Sequence, residues 1–206
     1  MTQRTLKIYS DYKSPYAYLA KDPAYALERE TGVTIEWLPY TLDIPAYLGS
    51  ATVDGSGNVV EQTRNAHQWR RVKYSYMDCR RDANRAGLTI RGPRKIFDSR
   101  RANIGMLYAQ RHGVFRAYHD RVFARFWKRD LDIENAAALA AVLAEAGADT
   151  TDFAAFLDGE GRRQLETIQR EAEAAGVFGV PSYLLDDGDL YWGREHLPRI
   201  RERLIT

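Results

Sequence analysis

The stretch Ile8-Tyr9-Ser10-Asp11-Tyr12-Lys13-Ser14-Pro15-Tyr16-Ala17-Tyr18-Leu19-Ala20 constrains this chain more than any other. It reads as a short strand, a tight turn and the first turn of a helix. Ser14 stands at the N-cap and Pro15 at the first helical position, where the missing N–H removes no hydrogen bond. Such a helix start suits an anion or a thiolate. The free amides of Tyr16 and Ala17 and the positive end of the helix dipole point toward whatever rests against the Ser14 hydroxyl. Taken alone, the same residues also describe a capped helix with no ligand.

At 206 residues and 45% hydrophobic, the chain suits one domain, or one domain with an insertion. A net charge of +2 argues against a general nucleic-acid or membrane binder, although the charge is unevenly spread. Residues 61–101 hold twelve Lys and Arg against four Asp and Glu, a local +8 that leaves −6 for the rest. The basic residues 64–101 could form a nucleic-acid patch, but with Trp69, Tyr74 and Tyr76 at core spacing a solvated helix face is the favoured reading, and a pocket rim that draws in carboxylates the second functional one. Cys79 is the only cysteine, which excludes an internal disulfide and a Cys-x-x-Cys pair. In a helical stretch it reads as a small buried residue. The four histidines form no metal-binding spacing, and no Gly-rich phosphate loop follows the first strand. No apolar run approaches the ~20 residues of a membrane span, and residues 1–5 lead into a strand, so the expectation is a cytoplasmic protein.

In chain order, the pattern predicts a strand over 6–9, a helix over 15–30 and, after Gly32, a strand over 33–38. Pro23, placed near the buried face with Tyr16, Leu19, Ala20 and Leu27, predicts a bend at 21–22. Prolines and glycines mark 39–60 as a loop excursion with a turn-rich tip at 54–58. Helical patterns then fill 68–86, 101–110, 115–128, 135–146, 151–157 and 162–175, with no strand among them. Strand character returns at 177–185 and 190–192 around a hairpin turn at 186–189, and a last helix is predicted over 194–204. The expected fold is α/β: a sheet assembled from both chain ends, β-α-β plus α-β-β-α, with a large all-helical insertion. Its expected division is a discontinuous domain of residues 1–60 and 162–206, and a helical insertion of residues 61–161.

Three stretches carry a family resemblance: residues 14–20 (Ser14-Pro15-Tyr16-Ala17-Tyr18-Leu19-Ala20), 176–182 (Gly176-Val177-Phe178-Gly179-Val180-Pro181-Ser182) and 191–197 (Tyr191-Trp192-Gly193-Arg194-Glu195-His196-Leu197). With residues 115–123 between them, they resemble the thioredoxin-like family called DsbA, and within it the 2-hydroxychromene-2-carboxylate isomerases and kappa-class glutathione transferases. The resemblance covers nearly the whole chain. It implies glutathione as cosubstrate, Ser14 as the catalytic residue, and Ser14, Tyr16, Val180, Pro181, Arg194 and Glu195 as its binding residues. Pro181 should then be cis, leaving the Val180 backbone to pair with the tripeptide; the alternative is a trans turn proline. Arg194 and Glu195 stand where such relatives hold the γ-glutamyl end with Ser or Gln followed by Asp. Asp98-Ser99 stands where many of the isomerases carry Asn-Ser or Asn-Thr, which would put a negative charge near the second substrate. The excursion at 55–58 also looks longer than usual.

The resemblance implies an isomerase that acts through reversible thiolate addition to an aromatic or conjugated carbonyl acid, with neither nucleic acid nor membrane as partner, and is compatible with a homodimer. A kappa-like glutathione transferase and a redox-inactive thiol- or peptide-binding module are the alternatives. All three readings share one consequence. The turn at 14–17 carries Ser14 and Ala17 where a redox member has two sulfurs. The purified protein is therefore expected to show no insulin reduction above the dithiothreitol background, and measurable turnover would overturn the reading.

Overall fold

Leu6 and Ile8 alternate with Tyr9 along a strand, and the computed structural model, which describes residues 4–205, places that strand inside a four-stranded sheet. Residues 1–3, expected to lead into it, lie outside the described residues. Strand β1 (Thr5–Ser10) pairs in parallel with β2 (Thr34–Pro39) and antiparallel with β5 (Ser182–Leu185); β6 (Leu190–Trp192) closes the order β2-β1-β5-β6. Successive side chains of β1 leave on opposite faces. Leu6 and Ile8 pack with Trp37, Ala24 and Ile200, while Tyr9 joins a second buried cluster with Tyr18, Met106, Phe123 and Trp127. That second cluster runs without a break into the helical segment.

Helix α1 (Pro15–Thr31) connects β1 to β2 and ends at Gly32, whose left-handed φ of 69° lets its amide reach the Glu28 carbonyl. The helix runs unbroken through Pro23, which is exposed rather than on the buried face, between the buried Lys21 and Ala24. The excursion at 39–60 is more ordered than a loop. It holds α2 (Ile44–Leu48) and the hairpin of β3 (Ala51–Val53) and β4 (Val59–Gln62). Strands this short carry too few alternating positions to register as a pattern. Asp54 sets the tip, its Oδ1 accepting from the amides of Ser56 (2.8 Å) and Asn58 (2.9 Å).

The helical segment consists of α3 (Ala66–Arg85), α4 (Arg100–Arg111), α5 (Phe115–Lys128), α6 (Ala136–Ala146), α7 (Phe153–Asp158) and α8 (Glu160–Ala174). Helix α3 starts two residues before its expected position because Asn65 and Gln68 form a capping box. Tyr74, expected at core spacing, is exposed instead. After β6, one 3-10 turn (Arg194–His196) precedes α9 (Leu197–Ile205), so the last helix begins later than predicted. Pro198 has no N–H to give, and the preceding turn closes by the shorter bond from His196 N to Gly193 O.

His119 of α5 is fully buried among the rings of Tyr12, Trp37, Phe115 and Phe123. Its Nδ1 is hydrogen-bonded to the Tyr12 hydroxyl at 3.0 Å, and its Nε2 has no partner among the described residues. Burial, helped by the Lys21 charge, holds its pKa well below the ordinary value. Below about pH 6.5 the unfolded chain takes up a proton that the folded one refuses, so stability falls with pH by up to ~1.4 kcal/mol per unit. Denaturant titrations between pH 7 and 5 should show this slope flattened in His119→Gln. Equal slopes in the two proteins would contradict it.

Candidate active site

The strand register brings the site together. Tyr9 lies opposite Ser182 in an antiparallel pair, so the residues that follow β1 meet those that precede β5. Asp11 shapes the turn between β1 and α1. Its backbone carbonyl accepts from Ser14 N (3.0 Å), and its buried carboxylate accepts from Leu42 N (2.8 Å) and Lys13 N (3.4 Å). Burial raises the Asp11 pKa, opposed by the Lys13 ammonium 3.8 Å away and by those amides. Ser14 then caps α1 in extended conformation, accepting from Ala17 N at 3.2 Å while its hydroxyl is directed at the Val180 carbonyl at 3.5 Å. The Val180–Pro181 bond is cis, as the resemblance implies. Two further bonds hold that turn: Ser182 Oγ donates to Gly179 O (2.7 Å) and Gly193 N to Pro181 O (3.0 Å).

Above Ser14 opens a cleft of about 1320 Å³. All six residues expected at a glutathione site, Ser14, Tyr16, Val180, Pro181, Arg194 and Glu195, line it. Burial pushes the Tyr16 phenol up, and its hydroxyl donates to Asp78 of α3 at 3.3 Å. Arg194 is held by Asp82, one turn further along α3, which fastens the helical wall to the segment after β6. Glu195 is exposed and lies against Gly193, where a side chain would collide with its carboxylate. At the mouth, the rings of Phe178 and Trp192 meet at 5.0 Å and stay largely exposed.

Of the twelve cations in residues 61–101, six line the cleft: Arg64, Arg71, Lys73, Arg80, Arg94 and Lys95. The other six, Arg70, Arg81, Arg85, Arg91, Arg100 and Arg101, do not line it and are exposed, so the segment is half pocket rim and half solvated face. Asp98 does not line it, although Ile96 and Phe97 do. Arg100 clamps its carboxylate through Nε at 2.8 Å and through its terminal nitrogen, and that pairing lowers the Asp98 pKa. The negative charge expected near the second substrate is thus neutralised outside the lining. Among the described residues no group of three or more His, Cys, Asp or Glu could hold a metal, and no helix is long and apolar enough to cross a membrane.

The DSBA-like thioredoxin domain matches residues 5–205. The chain belongs to this family. Curated relatives of the DsbA-like protein include the 2-hydroxychromene-2-carboxylate isomerases of Pseudomonas putida, 30% identical over 92% of this chain and 88% of the relative, and of Sphingobium xenophagum, 26% identical over 98% of both. Its fold superposes on a solved 2-hydroxychromene-2-carboxylate isomerase with a TM-score of 0.72 at 26% identity, covering 97% of this chain and 94% of the other. A probable DsbA oxidoreductase from Streptomyces coelicolor shares the fold with a TM-score of 0.76 at 17% identity, over 98% and 88% of the two chains.

Several cleft residues of this DsbA-like protein escaped the sequence reading. Asp78 and Asp82 stand one turn apart on α3, so their common face was readable, but not what it faced. The hairpin is tied in place by a bond from Val53 N to Arg94 O (2.8 Å), which joins stretches with no shared motif. Cys79 is buried, as its helical setting suggests, and burial pushes its thiol up to about 11. The native protein should leave Ellman's reagent uncoloured at pH 8 and release one equivalent of thiolate on unfolding in guanidinium. Fast reaction of the folded protein would place Cys79 at the surface.

Proposed function

We propose that this DsbA-like protein is a glutathione-dependent isomerase of an aromatic or conjugated carbonyl acid, of the 2-hydroxychromene-2-carboxylate type. The observation that carries this reading is the Ser14 hydroxyl, at the N-terminus of α1 and against the Val180 carbonyl, on the floor of a cationic cleft. The names of the relatives, at 26% and 30% identity, point to the same chemistry. The donor set fits the tripeptide. A hydroxyl and a helix N-terminus suit a thiolate, the Val180 backbone just ahead of β5 suits a strand-like partner, and basic walls suit carboxylates.

Bound glutathione would supply a thiolate that adds to the conjugated double bond and leaves after rotation about it, with no net redox change. Everything else falls to the chain. Ser14 turns its proton from Val180 O to the sulfur and so favours the ionised thiol, which is otherwise only a few per cent populated at neutral pH. The Tyr16 amide adds the positive end of α1, whereas the Ala17 amide, expected to be free, is taken by the Ser14 side chain that caps the helix. Val180 pairs with the cysteinyl backbone, and Pro181 sets the edge along which it lies. Arg194 and Glu195 hold the charged γ-glutamyl end. Phe178 and Trp192 keep the mouth apolar.

Two measurements test the reading. Isomerisation of 2-hydroxychromene-2-carboxylate should require glutathione. A stable glutathione adduct as product would mark a transferase, and failure to bind glutathione would sink both. Ser14→Ala should raise the bound thiol's pKa by roughly one unit, the loss of a charge-assisted hydrogen bond worth about 1.5 kcal/mol. Thiolate absorbance against pH reads this directly. The lost cap also costs about 1 kcal/mol of stability, so the melting temperature should be followed alongside. A variant with wild-type thiol pKa and full turnover would reduce Ser14 to a helix cap.

A further inference from the structure

Lys13 stands immediately before Ser14 in the chain, and the proposed reaction as described above gives it nothing to do. It is only 7% exposed, yet it lines the cleft. A buried ammonium needs partners, and this one is poorly served. Its nearest acid, Asp11, is 3.8 Å away, beyond hydrogen-bonding length, and its ammonium donates no hydrogen bond among the described residues.

Other cleft cations differ. Arg194 is paired with Asp82 and Lys95 with Glu134, while Arg64, Arg80 and Arg129 donate to backbone carbonyls. Arg71, Lys73 and Arg94 are exposed. Lys13 therefore combines burial, access to the cleft and unspent donors.

Its position selects the ligand. The strand order puts β2 on one side of β1 and β5 on the other. Val180, Arg194 and Glu195 belong to the β5 flank. Lys13 belongs to the β2 flank, because Asp11 beside it is bonded to Leu42 just past β2. Leu42, Ile44, Tyr47, Ile96 and Phe97 give the lining an apolar share, beside the exposed Arg94 and Lys95. Apolar side chains next to a buried, under-bonded cation suit a flat ring that bears an acid group.

We propose that Lys13 binds the carboxylate of the second substrate, an aromatic or conjugated acid, on the β2 flank of Ser14. The proposal rests on reading the cleft as a two-substrate site, with glutathione on the β5 flank. Lys13 then sets substrate choice by requiring an anion beside the ring.

Chromone-2-carboxylate, a planar acid of the same ring type, and neutral chromone are the probes, with affinities measured by calorimetry. The wild-type protein should prefer the acid. Lys13→Met should weaken acid binding on the order of ten- to a hundred-fold, the value of one charge-assisted hydrogen bond, and leave chromone and glutathione binding unchanged. Lys13→Arg should keep part of the preference. Because methionine would strand the Asp11 carboxylate, the double variant Asp11→Asn with Lys13→Met provides the same comparison without a buried unpaired charge. A wild type that binds acid and chromone equally, or a Lys13→Met protein that keeps the wild-type preference, overturns the proposal. Absent glutathione-dependent turnover would sink the isomerase reading, while a carboxylate preference lost with Lys13 would stand on its own.

Discussion

The structure depends on the pairing of β1 with β5. Tyr9 sits opposite Ser182 in an antiparallel ladder, with β2 on the other edge of β1, so the end of β1 emerges between a parallel and an antiparallel neighbour. One register therefore delivers the start of α1 and the Val180–Pro181 turn to the same point. A slip of one residue would turn Leu6 and Ile8 away from Trp37 and Ile200, so burial of those side chains enforces the register that the cleft needs. The core and the site are specified by the same alternation.

Around that point the electrostatics are layered. Deepest is the Asp11 carboxylate, buried and held by backbone amides, with the Lys13 ammonium beside it. Next come the Ser14 hydroxyl and the N-terminus of α1. Outermost are the arginines and lysines of α3 and of the 91–95 loop. Above the Asp11 layer, the helix N-terminus and the cationic rim favour anions. Asp78 and Asp82 temper that field where Tyr16 and Arg194 need partners.

Much of this was legible in the sequence. Ser14-Pro15 announced the helix start, Gly32 its end, and the order of strands and helices followed from periodicity with boundary shifts of a few residues. Three departures have physical reasons. The β3–β4 hairpin is too short for its alternation to stand out. Tyr74 has core spacing on α3 but faces solvent, because spacing fixes a side chain's face and only packing decides whether that face is covered. Asp98 reads as a charge near the substrate until Arg100, two residues on, is seen to close over it. Ser14 stood out from its helix-start geometry, and the resemblance added Tyr16, Val180, Pro181, Arg194 and Glu195 as expected site residues. Their convergence on one cleft depends on contacts between distant segments, and no local pattern encodes that.

Ser14 and Val180 are separated by 166 residues in sequence yet meet across one cap. Pairing at such separation is slow to form, since the chain between must be ordered before the contact is rewarded. The helices of that intervening segment form from local contacts and can precede it. A nascent or partly folded chain can thus hold most of its secondary structure while the groove beside Ser14 does not yet exist. The groove is a property of the completed fold, and no isolated segment of the chain carries it.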